Sequence, residues 1–398
     1  MKSMFYKTLV LAGALAPSAV AFSLYDAAPI VGVPESYAIR YNAYLNVGYD
    51  DNVNNSVNDK KSGGYVRFGV GASYADYESV TRLSYNAKIG AQLYNETAYG
   101  TDNRMFSDMS FNAKLTRTLG RGSVYSAEVS LSYTPEPEYS GYYSNVGVDS
   151  SRLNWGISNV YSQPIDERWS WNVSLAYSGC VYDNDMYYQD DRMYLTPGLG
   201  LSYKASERTT YGISTTYRYE FRQEGSDSES VFVTGNVSHL LSPVSSFTAR
   251  VGAQYKMVGS WGEWTPTLQA SYRRELAEGL SINAYANYSN ENVDSYNWYN
   301  NSNYRSVNTW RLGVAMRYVY THRVSFGAYA SIYSADYSNS DKGSRGYSND
   351  CWTVGCSMDY IIDKNLTATV GYSYENNEYS TSGAAKRNRI TTGLKYSF

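Results

Sequence analysis

Seven Asp or Asn side chains fall within ten positions, from Asp50 to Asp59, in the stretch GYDDNVNNSVNDKKSGGY. Such a cluster could hold calcium, or supply paired carboxylates for acid–base work. An EF-hand loop needs Gly at its sixth position and Glu at its twelfth. Asp50, Asn52 and Asn54 fill the first ligand positions, but the sixth is Asn55 and the twelfth is Lys61, which excludes that geometry. The remaining reading is a turn that carries the chain into water where a strand ends, with a loop cation site as the alternative.

Other chemistry is sparse. His239 and His322 are the only imidazoles, and Cys180, Cys351 and Cys356 are the only thiols. An odd cysteine count without a CxxC pair is neither a disulfide scaffold nor a zinc site. A surface lipase or protease would need His near an acid or a Ser at one rim, and both histidines fall towards the opposite end from the long loops. We therefore expect no enzyme, no cofactor, no metal and no nucleic-acid partner.

The elements that carry these residues alternate with period two. In RLSYNAKIGAQLY, Leu83, Tyr85, Ala87, Ile89, Ala91 and Leu93 share one face, while Arg82, Ser84, Asn86, Lys88, Gly90 and Gln92 share the other. The same alternation runs through SAEVSLSY and YGISTTYRYEF. It specifies half-buried strands rather than helices. About 18 such segments follow Tyr37, many of ten or more residues. Soluble strands usually run to about 5–6 residues, whereas a tilted strand needs about 9–11 to cross a bilayer. The 45 Tyr residues suit strands and membrane interfaces alike. The fold class is therefore all-β: a transmembrane antiparallel up-and-down β-barrel of about 18 strands (16–18) over residues 37–398.

Connections alternate as well. Short turns such as ADYES (75–79), LGRGS (119–123) and IDKN (362–365) alternate with long polar loops near 51–64, 95–107, 134–150, 178–191, 289–308, 334–350 and 375–388. Short turns at one end and long loops at the other are typical of outer-membrane barrels. The N-terminus has the basic start, apolar run and AVA site of a signal peptide over 1–21. A short periplasmic segment, 22–36, then leads into the barrel. It is too short for a plug domain, so energy-coupled uptake is not expected. Localisation follows: the outer membrane of a Gram-negative-type bacterium, reached by Sec-type export.

Parity divides the strands into a lipid face and a lumen face. The lumen face carries Arg40, Arg67, Arg82, Lys88, Lys114, Arg218, Arg250, Lys256, Arg273, Arg311 and Arg317, which we take as pore-lining candidates, together with Arg152, Lys204, Arg222, Arg389 and Lys395. Its acids are fewer: Glu128, Glu220 and Asp359. A tube lined with one sign of charge concentrates the opposite ion. At the C-terminus, Leu394, Tyr396 and Phe398 lie on the lipid face and form a candidate assembly signal. Two partners follow from a barrel in a membrane, outer-membrane lipid and the barrel insertion machinery. The cysteines are too far apart around the ring, or along one strand, to form a disulfide.

The signal peptide, the early GYDDNV (Gly48 to Val53), the unbroken barrel pattern and the terminal Phe together resemble the beta-barrel porin 2 family. That resemblance implies an outer-membrane channel, in some members linked to polysaccharide export, and implies no catalytic residues. In the third outer loop, YTPEPEYSGYY (133–143) resembles the Pro-Glu-aromatic-Gly constriction segment of general porins. The expected function is passive diffusion of small hydrophilic solutes, anionic ones included. Export of an anionic polysaccharide and a surface-binding or structural barrel are the alternatives.

Overall fold

The computed structural model describes residues 39–76, 80–96, 105–134, 152–182, 191–223, 227–291, 296–297, 302–303, 306–337, 347–380 and 383–398. The signal peptide and segment 22–36 lie outside these residues, as does most of YTPEPEYSGYY. Eighteen strands form the wall, at the positions the alternation specifies. The first half comprises β1 (Arg40–Asp50), β2 (Gly63–Ala75), β3 (Thr81–Tyr94), β4 (Met105–Thr118), β5 (Val124–Thr134), β6 (Arg152–Pro164), β7 (Trp169–Tyr182), β8 (Arg192–Lys204) and β9 (Thr209–Arg222). The second half comprises β10 (Ser228–Ser242), β11 (Ser245–Val258), β12 (Trp261–Ala277), β13 (Leu280–Glu291), β16 (Val307–Val319), β17 (Val324–Tyr337), β18 (Tyr347–Ile361), β19 (Leu366–Tyr379) and β20 (Gly383–Ser397). The short pair β14 (Tyr296–Asn297) and β15 (Ser302–Asn303) forms a separate ladder between β13 and β16.

Each strand pairs antiparallel with its neighbours in sequence, and β20 returns to β1 with Leu45 opposite Leu394, so no edge is left open. Closure matters because an unpaired backbone N–H or C=O in hydrocarbon costs several kcal/mol. Eighteen strands about 4.8 Å apart and tilted about 40° close on a circle of roughly 35 Å. Strand side chains alone cannot fill a ring of that width.

The outer surface is an apolar belt: Val70, Ile89, Leu199, Val251 and Trp264 are each more than half exposed. Aromatic pairs border it at both ends. Trp155–Tyr177, Tyr255–Trp264, Tyr288–Trp310 and Trp352–Tyr374 sit towards the loop end, and Trp169–Tyr203 and Tyr396–Phe398 towards the turn end. On single strands the two girdles recur eight residues apart: Tyr41 and Tyr49, Trp169 and Tyr177, Trp310 and Tyr318, Trp352 and Tyr360. Eight residues span about 27 Å along a strand and about 20 Å along the normal at a 40° tilt, close to the roughly 25 Å apolar band of such barrels. Tyr and Trp rings suit headgroup depth because one end is apolar and the other polar. This is the architecture of an outer-membrane β-barrel.

The turn-end connections are short because side chains close them locally. The carboxylate of Asp166 accepts N–H bonds from Arg168 and Trp169, and Asp363 does the same for Asn365 and Leu366. The Trp169 N–H, then the Arg168 N–H, hold the Asp166 carboxyl below the usual carboxylate range.

At the other end the strands run further than hydrophobicity predicts. Residues 375–388, expected as a loop, continue the β19–β20 ladder to Tyr379 and Gly383. Likewise β7 runs on to Tyr182 and β17 to Tyr337, inside regions expected as loops. The strands have 11–17 residues, and most are longer than the about 9–11 that a membrane crossing requires. Their polar upper ends stand in water as sheet rather than loop.

Candidate functional site

The inner face is recognisable from contacts that skip strands. Side chains three strands apart can meet only across the concave surface of a barrel. Tyr44, Gly69, Gly90 and Asp108 stand on one continuous rung of β1, β2, β3 and β4. The Tyr44 hydroxyl reaches across both glycines and donates to Asp108 at 2.6 Å. A Cβ at Gly69 or Gly90 would lie 2.3 or 2.5 Å from that hydroxyl, so only glycine leaves the trough open. Arg67 binds the same carboxylate through Nε and, at 2.8 Å, through Nη2, and Lys88 approaches it at 2.9 Å. Two of the predicted lumen cations thus share one acid.

A second inner group sits at the loop end. Asp50, the last residue of β1, binds Arg387 at 2.6 Å and Arg389 at 3.2 Å, both from β20, and is 0% exposed. The chain then folds inward. Asn52 donates to the Lys386 carbonyl, Asn55 donates to the Tyr379 hydroxyl, and Asn377 donates to Asn55 Oδ1. Val57 packs against a buried cluster of Val307, Ala335, Tyr337, Tyr379 and Ala385. These residues come from β16, β17, β19 and β20, and they converge on the inner side. Val53 joins Tyr65 and Tyr94 in a further cluster.

The sequence reading of this stretch is therefore corrected. Asp50, Asn52, Val53 and Asn55 are not carried into water; each is fully buried. Their amide groups replace water as partners for the rim. Asn55 adopts a positive φ of 45°, which Asn tolerates in the tight inward turn. The loop cation reading also loses its first ligand, since two guanidinium groups occupy Asp50.

The remaining candidates divide by surroundings. Lys256 is 1% exposed and donates to Asn290 and the Glu291 carbonyl, so it does not line an open passage as expected. Arg311 forks onto both oxygens of Glu291. Lys114 stands opposite Glu128 on the β4–β5 ladder. Arg218 lies over the rings of Tyr194 and Phe232, 5.7 and 5.3 Å from their centroids. Arg40 and Arg273 are exposed, and Arg82, Arg250 and Arg317 are half-buried on the face opposite the apolar belt. Cys180 and Cys351 are buried, and Cys356 is exposed on the outer face.

The inner acids are more numerous than expected, because Asp50, Asp108, Glu263, Glu291 and Glu375 join Glu128, Glu220 and Asp359. All five lay at or beyond the expected strand ends, and the longer strands bring them onto the wall. The signal that could have placed them is the parity itself, extended a few residues past the apolar run. At the chain end, Leu394, Tyr396 and Phe398 all face outward at 46%, 40% and 68% exposure, and the Phe398 N–H donates to the Tyr41 carbonyl.

No family model and no curated protein matches the chain. Among solved structures, the outer membrane protein OpdK from Pseudomonas aeruginosa is similar over 91% of this chain and 99% of its own, at 10% identity and a TM-score of 0.48. A BenF-like porin from Pseudomonas fluorescens Pf-5 is similar over 91% and 100%, at 12% identity and a TM-score of 0.47. Pseudomonas aeruginosa OccK2 (OpdF), solved in complex with glucuronate, is similar over 90% and 98%, at 11% identity and a TM-score of 0.46. At such identities the likeness is one of fold alone.

Proposed function

We propose that the chain is a passive outer-membrane channel for small hydrophilic solutes, with a preference for anions. The observation that carries this reading is the closed ring of 18 strands with a polar inner face, too wide for its strand side chains to fill. The preference comes from the wall. Arg40, Arg82, Lys114, Arg218, Arg250, Arg273 and Arg317 line it, while Arg67, Lys88 and Arg311 are shared with Asp108 and Glu291, and Lys256 is withdrawn from it. Arg218, backed by Tyr194 and Phe232 rather than by a carboxylate, is the member best placed to meet a passing anion. Purified protein in planar bilayers gives discrete conductance steps on this reading, and the reversal potential in a salt gradient lies on the anion side. A folded barrel without conductance overturns it.

In the same reading, Leu394, Tyr396 and Phe398 form the signal by which the insertion machinery recognises the barrel. Phe398 lies in the turn-end aromatic girdle, at interface depth where burial alone predicts a small loss, yet on this reading its deletion cuts assembly in cells. Equal assembly with and without Phe398 removes the signal role.

A further inference from the structure

We infer that the segment between β1 and β2, residues 51–62, is the channel's fixed constriction, and that Asn58, Asp59 and Lys60 are its selectivity-determining tip. The inference deepens the channel reading and rests on it. A ring of roughly 35 Å, lined only by strand side chains, would pass solutes of many sizes. Among the described residues, this segment is the one that leaves the rim and folds against the inner wall.

Its two halves differ in a way that suits the role. The first half is anchored. Asn52, Val53 and Asn55 are fully buried, the Asp50 carboxylate ties the base to Arg387 and Arg389, and Val57 packs into the apolar cluster of β16, β17, β19 and β20. The segment is also braced internally. Asn54 donates to the Asp59 carbonyl at 2.7 Å and accepts from the Lys61 N–H at 2.9 Å, and the Val53 N–H donates to the Lys61 carbonyl. The second half is presented. Asn58, Asp59 and Lys60 are exposed on a segment whose other half is packed against the wall, and on this inference they face the aqueous passage. The side chains that would have made a solvated turn are spent on the anchor, and one carboxylate and one ammonium are left at the tip.

A held loop places charge at a fixed position where the passage is narrowest, and charge there governs ion preference more than charge on a distant wall. Asp59 and Lys60 balance each other. Lys60→Glu makes the tip doubly negative and moves the reversal potential towards cations, and Asp59→Lys moves it towards anions.

The test uses the full chain with Cys180, Cys351 and Cys356 replaced by Ala, reconstituted in lipid. Lys60→Cys reacts with a membrane-impermeant anionic methanethiosulfonate, and each modification lowers the single-channel current. Val53→Cys stays unreactive until the barrel is unfolded. Deleting residues 53–60 raises conductance several-fold. Mass spectrometry follows the labelling without needing any current. A conducting barrel in which Val53→Cys labels as fast as Lys60→Cys overturns the inference while leaving the channel reading intact. Modification at position 60 without change in current overturns the constriction role. Protected Val53→Cys in a barrel that never conducts overturns the channel reading instead.

Discussion

Asp50 and Asp108 make an instructive pair. Each carboxylate lies on the inner face, and each binds two cations from outside its own strand. Asp50 takes Arg387 and Arg389 and has no exposed surface, whereas Asp108 takes Arg67 and Lys88, accepts from Tyr44, and keeps 11% of its side chain exposed. The charge arithmetic is the same. The difference is cover: Asp50, at the base of residues 51–62, has no exposed surface, whereas Asp108 keeps a small exposed edge. A covered ion cluster holds only while every member is present. A wetted one can replace a lost member by water, so its charge is available to tune what passes.

The largest effect expected from this comparison is at Asp50. Asp50→Ala leaves two guanidinium groups without their carboxylate under the loop, and loss of one partner of a buried pair costs about 3–5 kcal/mol. That loss falls first on the local seat of residues 51–62. Hydrogen exchange in 52–57 accelerates strongly, while exchange in the β5–β9 wall is unchanged. Asp108→Ala costs about 1–2 kcal/mol, since water screens what remains. Equal losses at the two positions would break the comparison.

Next in size is a test of the faces on which both carboxylates depend. Leu394 is on the outward parity of β20 and Lys395 on the inward one, with Leu394 opposite Leu45 and Lys395 opposite Tyr44. An Arg on the lipid face near the midplane costs roughly 2–4 kcal/mol. Leu394→Arg therefore impairs folding into vesicles by that order, measured by equilibrium unfolding, and Lys395→Gln leaves stability within experimental error. The reverse result would invert the inner and outer faces and take both carboxylates off the lumen wall.

The contrast also shows where sequence reasoning stops. Alternation placed the strands, because period two is a property of each strand taken alone, and the apolar belt made it visible in segments such as Leu83 to Leu93. The count of 18 and the closure of β20 on β1 follow from the same signal. The rim was not legible. Asp50, Asn52 and Asn55 look like a solvated turn because their burial depends on partners more than 320 positions away, at Asn377, Tyr379, Lys386 and Arg387. Nor does hydrophobicity say where a strand ends once it leaves the lipid. Glu375 to Tyr379 and Gly383 to Arg389 show no apolar alternation and are polar like loop, and only their pairing in the ladder makes them strand. The Gly69–Gly90 trough could have been suspected from two glycines in neighbouring strands, but their alignment with Tyr44 and Asp108 needs the register.

The smallest effects sharpen the wetted half of the comparison. Asp108 neutralises part of the charge of Arg67 and Lys88 on the wall. Asp108→Asn keeps an oxygen to accept from Tyr44 or Arg67 but removes the negative charge, so the wall gains one net positive charge. The reversal potential in a salt gradient then moves further towards anions, and the shift diminishes at high salt, where the Debye length falls to about 3 Å at 1 M. Tyr44→Phe is the finer probe. It deletes one hydrogen bond to the carboxylate, worth roughly 0.5–1.5 kcal/mol, and leaves every charge in place. Its ring still lies over Gly69 and Gly90, so the passage keeps its width. Tyr44→Phe should therefore lower stability slightly and leave ion preference unchanged, while Asp108→Asn should shift preference. Tyr44→Phe moving the reversal potential as far as Asp108→Asn would mean that the hydroxyl, rather than the charge balance of the wall, controls what passes.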